Sequence, residues 1–525
     1  MSIARRVFPG CALASLAVAV AFAAGCGSTA SDGQGAANGG GPSAIFGVSG
    51  GDGGDDGSAN LPRCIVATGQ CVASCSGSTS TTVSGTVYDP AGRNPLYGIV
   101  VFVPSVPPAA LPQGVDCLSC SALYDSGLPI AYTVTDAAGN FTLTGVPDGA
   151  NIPLVVQVGK WRMQYTLPSV SKCADNDAKT ATTKIAAPSV LRLPKNHTEG
   201  DIPNMAIATG GADSLECLLS RIGVDKTEYV AGPGGTGRIH IFQGDGGANT
   251  TPAAPIASQG LWPNNTATAV MDFSPYDITL LTCEGHETTG GDVGGGGLGG
   301  RGGGGGGGGG LSAMQQQALF NYAAAGGRVF ASHYHYAWFN TGPFAAVTPP
   351  LATWTPGTND MGDIDAIVEQ TLPGGAAFPR GMAMDQWLTN VNALTNGELP
   401  IQEARHNADV GVANTLSTPW IVADSKAHPA GATEYFSFDT PIGVAPAEQC
   451  GRVVYSDLHV GAASGDYGQK PGDTAIPMGA MTPSGCANNA LSPQEKALEF
   501  MLFDLSGCIT PPDQGAGGVM PPPTK

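Results

Sequence analysis

The run "YDITLLTCEGHE", residues 276–287, ends an apolar stretch in Cys283, Glu284, His286 and Glu287. A thiol, two carboxylates and an imidazole thus share one loop. Cys283 would become a nucleophile if a histidine such as His286 or His333 took its proton, with Glu284 as a neighbouring acid and glycine-rich backbone donating to an oxyanion. The spacing is not diagnostic, because a disulfide half or an inert buried thiol reads the same way. A second constellation is "SHYH": His333 and His335, i and i+2 of a strand, face the same way and can share a divalent metal, with His459 or Glu284 completing a tetrahedral set. In a third reading the same groups bind without turnover, offering carboxylates, histidines and aromatics to a sugar or cell-wall fragment.

These residues are far apart in the chain, so the elements between them must bring them together. From residue 200 to 510 the sequence alternates strand-like and helix-like runs. "NMAIATGG" leads to "ADSLECLLSRIGV", where Leu215, Leu218, Leu219 and Ile222 recur at helical spacing. The strands "RIHIFQ" and "DITLLTC", the helix "LSAMQQQALFNYAAAGG", the strand "RVFASHYHY", the helix "FPRGMAMDQWLTNVNAL" and the strands "EYFSFD" and "GRVVYSDLHV" follow. A last helix, "SPQEKALEFMLFDL", opens on a capping box of Ser492 and Glu495. Such alternation predicts an α/β domain with a mostly parallel sheet. Ligands of open α/β sheets bind outside the carboxyl ends of the strands. That rule gathers Thr209, Gly210 and Asp213 after one strand, Cys283 to Glu287 after another, then His333 and His335, then Asp457 and His459. The segment "ARHNAD", with Arg405, His406 and Asp409, adds polar groups but reads equally as a turn.

Residues 63–195 have a different rhythm. "TTVSGTVYD", "GIVVFVP", "IAYTVTD", "NFTLTGV", "NIPLVVQVG" and "RMQYTL" are short alternating strands punctuated by Gly, Pro, Asn and Asp, which predicts an N-terminal all-β sandwich. Within it, "GTVYDPAG" and "TVTDAAGNFTLTGVPDG" resemble the carboxypeptidase regulatory-like domain over about residues 80–170. The resemblance implies a seven-stranded sandwich of the carbohydrate-binding-like class and says little of function. Trp161, between Lys160 and Arg162, is a sugar platform if exposed and a core residue if not.

In the α/β domain, "YDITLLT", "YAAAGGRVFASHYH" and "GRVVYSDLHV" resemble the class I glutamine amidotransferase-like, flavodoxin-like fold over about residues 203–508, in particular its ThuA-like branch. That family carries its nucleophile in a G-x-C-x-G elbow. "FASHYHYAW" stands at that place and has no cysteine, so glutaminase chemistry by the family route is not expected. The glycine tract at 290–310 has no phosphate-loop spacing and reads as a low-complexity insertion.

The first 25 residues join Arg5 and Arg6 to an apolar run from Ala12 to Ala24, the form of a signal peptide. "AAGC" resembles a bacterial lipobox, which implies lipidation at Cys26, a membrane anchor, and residence in the periplasm or at the cell surface. Residues 26–62 have a tether's composition, and 511–525 read as a disordered tail. The whole arrangement resembles surface lipoproteins of myxobacteria. A net charge of −19 with 23 basic residues argues against nucleic acid. Thirteen cysteines, less Cys11 in the leader and Cys26, leave eleven, which export turns into disulfides with one thiol over. Cys283 is a candidate for that thiol. The C-x-x-C of Cys117 and Cys120 reads as a zinc half-site only in a reducing compartment.

With no complete catalytic signature, the leading expectation is a lipid-anchored envelope protein that binds carbohydrate or another envelope component through Thr209, Asp213, Asp457 and Trp161. The alternative is a metal- or thiol-dependent hydrolase at the strand-edge cluster, and a third reading is a structural or adhesive spacer.

Overall fold

Among the described residues, the segments between 82 and 192 form eight strands: β1 (Thr82–Tyr88), β2 (Val100–Pro104), β3 (Pro129–Val134), β4 (Asn140–Thr144), β5 (Gly149–Val158), β6 (Trp161–Val170), β7 (Asp175–Asp177) and β8 (Leu191–Arg192). They make two sheets, β3-β2-β5-β6 and β4-β1-β7 with β8 also on β1. Alternation along β2 explains the layering: Val101 and Val103 face the main core, while Val100 and Phe102 face a satellite cluster with Tyr124. The second sheet is mixed, because β7 and β8 pair with β1 in parallel. The computed structural model describes residues 63–515 apart from 78, 118–122, 125, 184–189, 211, 243, 245–260, 262–271, 286, 288–310, 425–430 and 462–489. The expected leader, Cys26, the tether, the glycine tract and His286 lie outside the described residues. Among the described residues no helix is long and apolar enough to cross a membrane.

The C-terminal region contributes β9 (Met205–Ala208), α1 (Leu215–Arg221), β10 (Tyr229–Ala231), β11 (Ile239–Phe242), β12 (Ile278–Leu281), α2 (Ala313–Ala324), β13 (Arg328–Ser332), α3 (Gly342–Ala345), β14 (Thr353–Trp354), β15 (Asp360–Val368), α4 (Pro379–Asn390), β16 (Leu399–Arg405), β17 (Ala408–Asp409), β18 (Ser417–Ala423), β19 (Thr433–Thr440), β20 (Gly451–Ser456) and α5 (Pro493–Ser506). Ten of its strands form one sheet in the order β10-β11-β9-β12-β13-β20-β19-β18-β15-β16. The pairings from β10 to β20 are parallel, and those from β20 to β16 are antiparallel. The α/β expectation therefore holds as a mostly parallel sheet, extended by an antiparallel flank of which the sequence reading included only β19 and not β18, β15 or β16. The central strands β9, β12, β13 and β20 are buried at every position, as a sheet covered on both faces requires.

The sandwich and the α/β region share one hydrophobic core, with α5 between them. On α5, Phe503 packs edge-on against Trp161 and Phe500 stacks on Tyr97. Trp387 of α4 donates its indole N–H to the Pro95 carbonyl at 2.5 Å. Cys117 is bridged to Cys450 across the same boundary, so it is no zinc half-site; Cys64–Cys71 and Cys75–Cys173 staple the sandwich, and Cys217 and Cys508 are also in disulfides.

One seam contact is a pair of carboxyls. Glu499 of α5 is fully buried beside Asp89, and Asn94 Nδ2 donates to Glu499 Oε2 at 2.6 Å. Burial lifts Asp89 to about 6, and burial together with the charge of Asp89 holds Glu499 well above the usual carboxylate range. A carboxyl whose folded pKa exceeds its unfolded value adds stability that is complete below the unfolded value and is lost as pH rises through the folded one. The seam therefore weakens as pH climbs from about 4 through about 6 and beyond. Glu499→Gln keeps the shape but needs no proton. It should raise stability near neutral pH by roughly 1–2 kcal/mol and flatten its pH dependence. Denaturant titration between about pH 5 and pH 8 measures this, and an unchanged pH slope would refute the raised carboxyl of Glu499.

Candidate functional site

Strands β9, β12, β13 and β20 run parallel side by side, so their carboxyl ends deliver Thr209, Cys283, His333 and His459 to one edge. Close approach of the first two ends depends on Gly210, where a Cβ would collide with the Cys283 carbonyl. The next pair is tied by the Cys283 N–H, which donates to Ser332 Oγ at 2.9 Å. After Ser332 the chain turns directly into a 3-10 helix, His333–Trp338. His333 makes that turn with φ 42°, a left-handed conformation that costs a non-glycine residue free energy and is held where the surroundings impose it. The hydroxyl of Tyr455 donates to the His333 carbonyl at 2.9 Å and anchors the turn.

The outcome is a buried cluster. His333 Nδ1 lies 3.5 Å from Cys283 Sγ and 3.1 Å from His459 Nε2. The ligating atoms of Cys283, His333 and His459 all lie within 4.8 Å of one another. On its other side, His459 Nδ1 faces Glu403 Oε2 at 3.0 Å. Asp213 accepts from the N–H groups of Val460 at 3.0 Å and Gly461 at 2.8 Å, fixing the chain just beyond His459.

Two imidazoles this close cannot both carry charge. Burial, with the charge of His459 next, drives His333 down to about 2, so its ring is neutral. Burial also works against a charged His459, but the Cys283 sulfur, Glu403 and Asp213 outweigh it and raise that ring to about 10. Asp213 is lifted by burial to about 6 against the opposing pull of His459 and the backbone donors.

Other candidates have different roles. His335 is not a ligand of this cluster: its Nε2 meets the Thr282 carbonyl at 2.9 Å, and its Nδ1 accepts the Trp338 indole N–H at 3.2 Å. The same-face argument for His333 and His335 fails because the segment is a 3-10 helix, not a strand. Asp457, lifted to about 6 by burial, accepts backbone N–H groups from Asn407 at 2.5 Å and Ala408 at 3.0 Å and lies 3.0 Å from the Tyr455 hydroxyl, so it braces the neighbouring loop. Trp161 is 0% exposed and offers no face to a sugar. Thr209 Oγ1 accepts from Gly244 N–H at 3.3 Å, Glu284 is buried nearby, and His286 lies outside the described residues. His406 pairs with Asp409 at 2.8 Å. Sequence reasoning missed Glu403, since "LPIQEAR" carries no motif and its strand was not expected.

A tetrahedral site with metal–N of about 2.0–2.1 Å and metal–S of about 2.3 Å has edges of about 3.4 Å between nitrogens and about 3.6 Å from sulfur to nitrogen. The observed 3.1 and 3.5 Å are close to these edges. A thiol flanked by a neutral and a charged imidazole is equally the material of acid–base catalysis. The cluster is thus capable of coordinating a metal or of acting catalytically.

No protein-family model matches the chain, and neither the curated proteins nor the solved structures contain a significant match.

Cys283 is the free thiol among the described cysteines, and it is fully buried. Alkylation of the unreduced protein should therefore label Cys283 after unfolding and spare it in the native state. Peptide mass mapping checks both, and a bridged Cys283 would dissolve the cluster as a site.

Proposed function

We propose that the chain is a hydrolase whose centre is the cluster of Cys283, His333 and His459, acting as three ligands of one divalent metal of the zinc class. The observation that carries this reading is the convergence of one sulfur and two imidazole nitrogens, from three adjacent strand ends, at distances close to tetrahedral edges. These three residues would hold the metal with a position left for water, and the metal would supply a water of lowered pKa as nucleophile. Outer partners support the assignment. His459 faces the Glu403 carboxylate on its far side, as metal-bound histidines commonly do.

A thiol-dependent hydrolase is the second reading. It is favoured by His459 being held charged between Cys283 and Glu403, so that a sulfur nucleophile, an acid and an orienting carboxylate are neighbours. Carbohydrate binding without turnover ranks behind both, since Trp161 is buried. We place the protein outside the cytoplasm on a lipid anchor at Cys26. The lipobox and the disulfides support this, because bridges persist in oxidising compartments.

Metal analysis of the purified chain, followed by ester, amide and glycoside hydrolysis screens with and without chelator, tests the proposal. One equivalent of zinc and chelator-sensitive turnover are expected. Cys283→Ser, His333→Ala and His459→Ala should each weaken zinc binding by more than about 100-fold, beyond the 10–100-fold typical of outer partners. Metal-free turnover that Cys283→Ser abolishes would overturn the metal in favour of the thiol. Absence of both zinc and turnover would sink the hydrolase reading.

A further inference from the structure

Glu403 stands out on three counts that the proposed chemistry does not itself explain. Its φ is 60°, left-handed for a residue with a side chain, in the middle of β16. It sits in a register break: Gly362 pairs with Ala404 and Ile364 with Ile401, so two residues of β16, Gln402 and Glu403, oppose the single Asp363. Regular alternation would have turned residue 403 to the core with Ile401. Instead Ala404 takes that place in the core, and the extra residue frees Glu403 to point elsewhere.

Its target is His459 Nδ1, at 3.0 Å. The bulge and the histidine loop are also clamped together. Gln494 of α5, fully buried, accepts the Gln402 N–H at 2.9 Å and donates to the Gln402 carbonyl at 3.0 Å and the His459 carbonyl at 2.9 Å. Next to it, Ala404 bridges Leu458, and the Arg405 N–H donates to the Asp457 carbonyl at 2.9 Å. A buried amide thus fixes the distance between the two backbones, and the bulge fixes the direction of the carboxylate.

We propose that Glu403 is a positioning residue, delivered by the β16 bulge and the Gln494 clamp, which holds the His459 ring with its proton on Nδ1 and its Nε2 turned to Cys283 and His333. The inference rests on the reading of that cluster as the site, and it applies to either chemistry there. A metal ligand needs Nε2 unprotonated and aimed inward, and a carboxylate accepting from Nδ1–H selects that tautomer. A strained residue placed by a bulge beside a functional cluster fits the same assignment, because free energy stored in the backbone there is offset by the geometry it imposes.

The test compares the full chain with Glu403→Ala, Glu403→Gln and Glu403→Gly. The tautomer of His459 is read by nitrogen NMR on histidine-labelled, metal-free protein at a pH above about 10, where the ring has lost its second proton, and zinc affinity by chelator competition. Glu403→Ala should lose the Nδ1–H form and bind zinc 10–100-fold more weakly. Glu403→Gln, whose amide oxygen still accepts, should keep the tautomer and most of the affinity. Glu403→Gly should match Glu403→Ala at the ring while raising the melting temperature, because glycine adopts the left-handed backbone freely. An unchanged tautomer in Glu403→Ala would overturn the proposal, as would a Glu403→Gly protein that loses stability and keeps its ring and zinc affinity. If the parent chain binds no zinc, the metal reading falls by itself, and the tautomer still decides the role of Glu403.

Discussion

Helix α5 is buried along almost its whole length, and the rest of the molecule is arranged to answer its polar groups. An unmatched charge or amide in an apolar interior costs several kcal/mol, so each such group on α5 demands a partner from a different element. Glu495 meets Arg221 of α1, Asp504 meets Arg452 of β20 and Arg380 of α4, Glu499 meets Asn94 of the sandwich, and Gln494 meets the backbone of β16 and the His459 loop. Between these points Phe500 and Phe503 fill the seam with Tyr97 and Trp161. One helix therefore sets both the junction of the two regions and the position of the strand ends that carry the cluster.

The cluster itself is a local conflict resolved by its surroundings. Two imidazoles in a buried interior compete against carrying charge together, and the Cys283 sulfur with the outer partners decides which ring is charged. His459 has Glu403 and Asp213 within its field, whereas His333 has Arg405 on its side. A bound cation would remove the conflict by replacing the proton that His459 holds.

Much of this was legible in the sequence. All six strands read from the N-terminal alternation are present, and the four helices expected after residue 200 form, Ser492 and Glu495 making the capping box. The convergence of Cys283, His333 and His459 followed from the rule about strand ends, because parallel order makes adjacent termini neighbours. The failures have physical causes. "SHYH" alternates like a strand, but the chain leaves the sheet at His333, and tertiary contacts decided the turn. Within the antiparallel flank, β15, β16 and β18 were passed over because Gly362, Pro400 and Pro419 interrupt "DMGDIDAIV", "LPIQEAR" and "STPWIVA", although alternate burial along β15 is plain once seen. Glu403 was beyond reach, since a bulge is a property of two strands and leaves no mark in one.

The place of β20 in the sheet has a consequence for how the molecule is made. It is the last strand among the described residues, yet it lies between β13 and β19 and joins the parallel half of the sheet to the antiparallel flank. Neither half has a complete hydrogen-bond ladder until residues 451–456 emerge, and α5 follows later still. A chain folding from its N-terminus during synthesis can finish the sandwich early, but must hold two open sheet edges apart until its end arrives. The site thus doubles as a record of completion: His459 and the Gln494 clamp are among the last pieces supplied, so a polypeptide cut short before them carries neither the finished sheet nor the finished cluster.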